Sequence, residues 1–252
     1  MVKEENTRGT IAPLRNVALF TELVERVLHR RDGLPGMACF SGFSGYGKTR
    51  AAAYATNKYR AYHVQMQSCW TRRTLCESIM LDMALAPEKS MRIDRMIAVI
   101  GKQLALSRRP LIIDEADYLM RNSAVELTMD MYEASGAPVI LIGEEKLPEK
   151  LLRWERVHGR MLDWVQAQPA SLGDARHLAK LYCPGIEIAD DLIDAVHRES
   201  NGSARRIVVN LNGVREQAEL GALKRIALGQ FKGQLFTGES PMPRHRSVAR
   251  AA

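Results

Sequence analysis

The sequence predicts an α/β fold: a parallel five-stranded sheet flanked by helices, followed by a small all-α subdomain. Three observations predict it. Short apolar runs of strand length alternate with amphipathic stretches of helix length, and such alternation packs as a parallel, open sheet. A glycine-rich loop stands between the first of those runs and the helix after it. Beyond Pro169 the pattern is helical only.

The elements follow in order. Residues 16–30 place Val17, Phe20, Val24 and Val27 on one helical face, with Asn16 expected as N-cap. "LPGMACFS" supplies the first strand, and a helix is expected over 48–58. "AYHVQMQ" is a second strand, and "TRRTLCESIMLDMAL" a helix closed by Pro87. A helix over about 91–107 leads to "PLIIDE", an apolar run suited to a strand buried on both faces. Another helix, about 122–134, passes through "SGA" to the strand "PVILIG", and 161–166 offers a fifth strand. Helices over about 173–182, 189–199 and 203–219 make the second subdomain. The division expected is 1–168, 169–220 and a basic, partly flexible segment 221–252.

The loop "GFSGYGKT" carries the chemistry. Gly42, four residues, then Gly47-Lys48-Thr49 is the spacing G-x-x-x-x-G-K-[ST] of a phosphate-binding loop. Glycines let successive backbone N–H groups face phosphate oxygens, and the following helix adds its positive end. Lys48 reaches the β- and γ-phosphates, and the Thr49 hydroxyl ligates Mg²⁺. The ATP-binding stretch expected is Gly42, Phe43, Ser44, Gly45, Tyr46, Gly47, Lys48, Thr49 and Arg50.

Asp114 and Glu115 end the apolar run some 65 residues later. An acid there serves the Mg²⁺, and the next residue orients and polarises the attacking water. Hydrolysis also needs positive charge on the γ-phosphoryl. "LLRWERVHGRML" offers Arg153, Arg156 and Arg160 as an arginine supplied to a neighbouring subunit, and "SNGSARR" offers Arg205 and Arg206.

The chain has 252 residues, 46% hydrophobic and 26% charged, and a net charge of +7. That excess suits a polyanionic partner such as nucleic acid. It is steepest from Asn201 onward, where three glutamates face nine arginines and lysines. No apolar run approaches a membrane span, and "MVKEENTRGT" is unlike a signal peptide, so the expected location is cytoplasmic. The four cysteines, at 39, 69, 76 and 183, have neither zinc-ligand nor disulfide-framework spacing.

With "GFSGYGKT", "LIIDEADYL", "PVILIGEEKL", "RWERVHGR" and "GSARR" in place, the chain resembles an AAA+ ATPase from about Pro13 to Leu220. Within that class the run "ALSRRPLIIDEADYLMRNSAVELTMDMYEASGAPVILIGEEKL" is similar to the branch of phage Mu-type transposition protein B and the transposon target-selector ATPases. The resemblance implies ATP-dependent oligomers or filaments on duplex DNA, recruitment or activation of a transposase, and disassembly on hydrolysis. It implies a catalytic set of Lys48, Glu115, Arg205 at the sensor-2 position and Arg156 or Arg160 as the finger, with Thr49 and Asp114 on Mg²⁺. It also leaves a departure, since the usual polar neutral sensor-1 residue is replaced by Glu144 in "IGEE". The chain starts close to the ATPase core, so DNA contact is expected from the ATPase face or the basic C-terminal region. Arg72 and Arg73 are the favoured phosphate contacts and Lys89 and Arg92 secondary ones. A helicase-loader-type remodeller and an ATPase adaptor with no DNA role are the alternatives.

Overall fold

The computed structural model describes residues 14–239. Five strands form one all-parallel sheet: β1 (Met37–Ser41), β2 (Tyr62–Gln65), β3 (Leu111–Asp114), β4 (Val139–Gly143) and β5 (Met161–Gln166), in the order β2-β3-β4-β1-β5. The expected sheet is therefore present. Along β1, side chains alternate between two apolar layers, with Met37 and Cys39 on one side and Ala38 and Phe40 on the other. All four are fully buried, which is why these runs are apolar throughout rather than alternating with polar residues.

One layer is built by α1 (Arg15–Leu28) and α2 (Lys48–Tyr59). The Phe20 ring meets Phe40 at 5.1 Å between centroids, and Ala51, Ala52 and Ala55 let α2 lie close to the sheet. The opposite layer holds α3 (Arg72–Asp82), α4 (Ile93–Ser107) and α5 (Ala124–Ser135). Where one helix was expected over 122–134, a 3₁₀ stretch Ala116–Ser123 precedes α5. Two short helices, α6 (Leu147–Leu151) and α7 (Glu155–His158), lead from β4 to β5.

Each outer edge of the sheet has one backbone donor taken by an aspartate. On β2 the His63 N–H donates to Asp82 Oδ2 at 2.9 Å, and on β5 the Trp164 N–H donates to Asp163 Oδ1 at 2.8 Å. Asp163 also pairs with Arg26 of α1.

The second subdomain contains α8 (Leu172–Tyr182), α9 (Asp190–Glu199) and α10 (Ala204–Leu220) around a core of Leu178, Leu192, Val196, Ile207, Leu211 and Val214. Ser171 and Asp174 cap α8 reciprocally. This helical region is as expected, with two additions. β6 (Glu187–Ile188) and β7 (Arg225–Ile226) pair in parallel beside the helices and bury Ile226. Beyond Leu220, Phe231 and Leu235 pack on the same core. The reason is polar as well as apolar. Gln217 accepts from the Lys232 N–H and donates to the Gln230 carbonyl, while Asn210 does the same for both sides of Phe236. The remainder of the basic segment, 240–252, lies outside the described residues.

Candidate nucleotide site

The sheet order places the end of β4 between the ends of β3 and β1, so Asp114-Glu115 and the glycine-rich loop face each other across one strand. Ligands of open α/β sheets bind at such carboxyl ends. A cavity of about 480 Å³ opens there. Gly45, Gly47, Lys48, Thr49 and Arg50 line it from the loop and α2, Gln65 and Glu115 from the strand ends, and Arg205 from α10.

The loop conformation follows from its glycines. Gly47 stands at φ +86 immediately before α2, and Gly45 at φ +84, both in the left-handed region. A Cβ on Gly45 would strike the Ser203 hydroxyl, so a glycine is also what lets the second subdomain approach. Lys48 Nζ donates to the Gly42 carbonyl at 2.6 Å and the Phe43 carbonyl at 3.0 Å. Burial lowers its pKa, opposed by Asp114, Glu115 and Asp117. The Phe43 and Tyr46 rings meet at a tilt, 5.7 Å apart between centroids.

Asp114 is 1% exposed. One carboxylate oxygen accepts the Glu115 N–H at 2.8 Å, and the other is buried with no hydrogen-bond partner. An unpartnered buried carboxylate oxygen beside a phosphate loop fits a divalent cation. Mg²⁺ takes one or two protein groups and completes its shell with water and phosphate. Thr49 and Asp114 are the residues that would hold it, and it would neutralise charge developing on the transferred phosphoryl.

Glu115 adopts φ +54, unusual for a residue with a side chain. Its carboxyl pKa is raised, first by burial and then by the Asp114 charge. Raised basicity and a place on the cavity wall are what a water-polarising base needs. Glu144, by contrast, is exposed and absent from the cavity wall. Its N–H donates to Asp117 Oδ2 at 2.7 Å, and Asp117 holds Lys150 at 2.5 Å. The Glu144 carboxylate stands 3.7 Å from Lys150, and its charge is one of those that raise the Glu115 carboxyl.

Arg205 is brought to the loop directly: its N–H donates to the Gly45 carbonyl at 3.1 Å and its Nη1 to Ser44 Oγ at 3.4 Å. Arg156 and Arg160 are not on the cavity and both face Glu133 of α5, Arg160 at 2.6 Å and Arg156 at 3.9 Å. Arg73 pairs with Glu77 at 2.7 Å and donates to the Met91 carbonyl at 2.7 Å and the Lys89 carbonyl at 2.9 Å. It thus ties the start of α3 to the loop that carries Lys89 and Arg92. Arg72 is half-buried, its Nε without a partner, while Lys89 and Arg92 are exposed.

Sequence reasoning missed two groups. Leu14, Leu178, Tyr182, Val208 and Val209 give the cavity an apolar end that a nucleobase would fill. Asn16 is not a cap: Leu14 precedes α1, and the Asn16 amide is buried. It donates to the Tyr46 carbonyl at 2.8 Å and the Gln168 carbonyl at 2.7 Å, and accepts the Gln168 N–H at 2.8 Å. A buried asparagine on an otherwise apolar helix face was the available signal.

Cdc6p from Pyrobaculum aerophilum superimposes with a TM-score of 0.60 at 14% identity, covering 83% of this chain and 62% of that one. The fold is that of the AAA+ P-loop ATPases. ORC1 from Aeropyrum pernix, solved in complex with DNA, gives 0.58 at 20% identity, covering 84% and 61%. A mutant RuvB from Thermotoga maritima gives 0.54 at 19%, covering 84% and 65%. The chain thus spans about three fifths of the length of these AAA+ structures. Residues 30–151 match the family model AAA_22, an AAA domain; the match runs from just after α1 to the end of α6. No curated protein matches the chain in sequence. No described helix is long and apolar enough to cross a membrane.

Proposed function

We propose that this protein is a Mg²⁺-dependent ATPase that binds duplex DNA in its ATP state, largely without regard to sequence, and regulates DNA transposition. ATP promotes self-assembly on target DNA in the cytoplasm, the assembly recruits or activates a transposase, and hydrolysis dismantles it. One observation carries the ATPase reading: Glu115, Lys48, Thr49 and Arg205 wall one cavity, and the Asp114 carboxylate, one oxygen of it buried without a partner, acts on Lys48 from beside it. Lys48 holds phosphate, Glu115 polarises the attacking water and Arg205 connects the phosphates to α10. Arg156 or Arg160 would act on the neighbouring subunit's nucleotide after leaving Glu133.

The DNA reading is supported by the net charge of +7 and by the exposed Lys89 and Arg92 beside the start of α3, with Arg72 and Arg73 behind them. Contacts of this kind are to phosphate, so they are blind to sequence and sensitive to salt. The transposition reading rests on the run around Asp114 described above. A second reading, a loader or initiator that delivers another protein to DNA, is favoured by the fold likeness to Cdc6p and to ORC1 solved with DNA.

Sedimentation with random duplex DNA tests the proposal. Binding with ATP and Mg²⁺ but not with ADP is expected, with transposase pulled down on the ATP complex. Equal binding with both nucleotides overturns the switch, and capture of a helicase on single strands favours the second reading.

A further inference from the structure

We infer that Asn16 is a positioning residue that aims the phosphate loop at its nucleotide and joins that loop to the hinge of the second subdomain. The inference rests on the nucleotide reading of the cavity. Asn16 sits in the first turn of α1 and is 5% exposed. Its two donated hydrogen bonds end on the carbonyls of Tyr46 and Gln168, and its oxygen takes the Gln168 N–H. Every polar atom of the side chain is thereby used, across sequence separations of 30 and 152 residues.

The chemistry of the Tyr46 bond is directional. A trans peptide carries its N–H opposite its C=O, and the chain has no cis peptide among the described residues. Pinning the Tyr46 oxygen toward α1 turns the Gly47 N–H away from α1, where Gly47 and Lys48 line the cavity. The adjoining peptide is fixed in the same manner, since the Gly45 carbonyl is held by the Arg205 N–H. Two consecutive loop carbonyls are thus clamped from outside the loop, one by α1 and one by α10. Gly45 and Gly47, both at positive φ, have no conformational preference of their own to supply that aim.

The Gln168 bonds extend the device. Gln168 follows β5 and precedes Ser171, the cap of α8. One residue before Asn16, the Arg15 N–H donates to Asp174 Oδ1 at 2.9 Å, inside that same cap. The start of α1 therefore grips the phosphate loop, the linker and the second subdomain at neighbouring atoms. A phosphate pulling on the loop is felt at the linker through one rigid amide.

Asn16→Asp tests this, because it keeps the shape and the accepting oxygen but sets a second oxygen against two carbonyls. Fluorescent ATP and ADP titrations and steady-state kinetics at 10 °C, on protein with wild-type circular dichroism, should show KM and both dissociation constants raised by about tenfold or more. Turnover at saturation should change far less, as for lost ground-state binding. Asn16→Ala should show the same pattern without the added charge. Folded variants that bind ATP as wild type does overturn the inference, whereas a wild type that binds no ATP defeats the nucleotide reading instead. Should neither variant fold, hydrogen exchange of the wild type decides. Peptides covering 44–48 and 166–170 gain protection together on adding ATP if Asn16 joins them, and separate responses overturn the joint.

Discussion

The Arg205 N–H donates to the Gly45 carbonyl at 3.1 Å, so the first turn of α10 is bonded to the middle of the phosphate loop. That bond needs the close approach that a glycine permits. Gly45→Ala forces an L-residue to φ +84 and drives a methyl group into Ser203 Oγ. The left-handed conformation alone costs about 1–2 kcal/mol. A lower melting temperature and weakened ATP binding should appear together in a thermal-shift series with and without nucleotide, and a variant that melts and binds as wild type would contradict the contact.

Lys48 and Glu115 line the same cavity with different work to do. Lys48→Ala should abolish ATP binding, and with it ATP-dependent sedimentation with DNA. Glu115→Gln should keep ATP affinity and lower turnover by about 10²–10⁴, leaving the protein on DNA long after wild type has dissociated. Phosphate release measured beside DNA sedimentation separates the two. Normal hydrolysis by Glu115→Gln would remove it as the base.

Thiol chemistry gives an independent check on the core. Burial raises the Cys39 thiol strongly and pushes Cys76 and Cys183 up to about 11, while Cys69 is exposed. Thiolate is the reactive species. An aromatic disulfide reagent at pH 8 should consume one equivalent promptly, at Cys69, and the other three only after denaturation. Fast reaction of Cys39, at the centre of β1, would be incompatible with the sheet as described.

Asn210 is 4% exposed and holds Phe236 by both its N–H and its carbonyl, at 2.6 and 3.1 Å. Asn210→Ala leaves those groups unpaired, at a cost of about 1–3 kcal/mol. Limited proteolysis should then cut within 231–239 well before the rest of the chain, with the sheet still folded. An unchanged cleavage pattern would mean that Gln217 and the apolar contacts hold the segment alone.

The centre of the sheet was legible in the sequence because β1, β3 and β4 are short, mainly apolar runs buried throughout, whereas the edge strands β2 and β5 carry polar residues and are only partly buried. The phosphate loop and Asp114-Glu115 were legible because their chemistry constrains spacing over a few residues. What could not be read depends on contacts between distant segments. Asn16 looks like a cap from its neighbours alone, and only the fold brings Tyr46 and Gln168 to its amide. The segment 221–239 reads as basic and loosely built, yet amides from α10 and the buried Ile226 fix it. Arg73 looked like a free cation for phosphate, while its fork already serves the carbonyls of the loop before α4.

The aspartates at the two margins of the sheet have a bearing on how copies can associate. With His63 answered by Asp82 and Trp164 by Asp163, each outermost strand has one backbone donor fewer to offer a strand from another molecule. Continuing the sheet from one protomer into the next is thereby made less favourable.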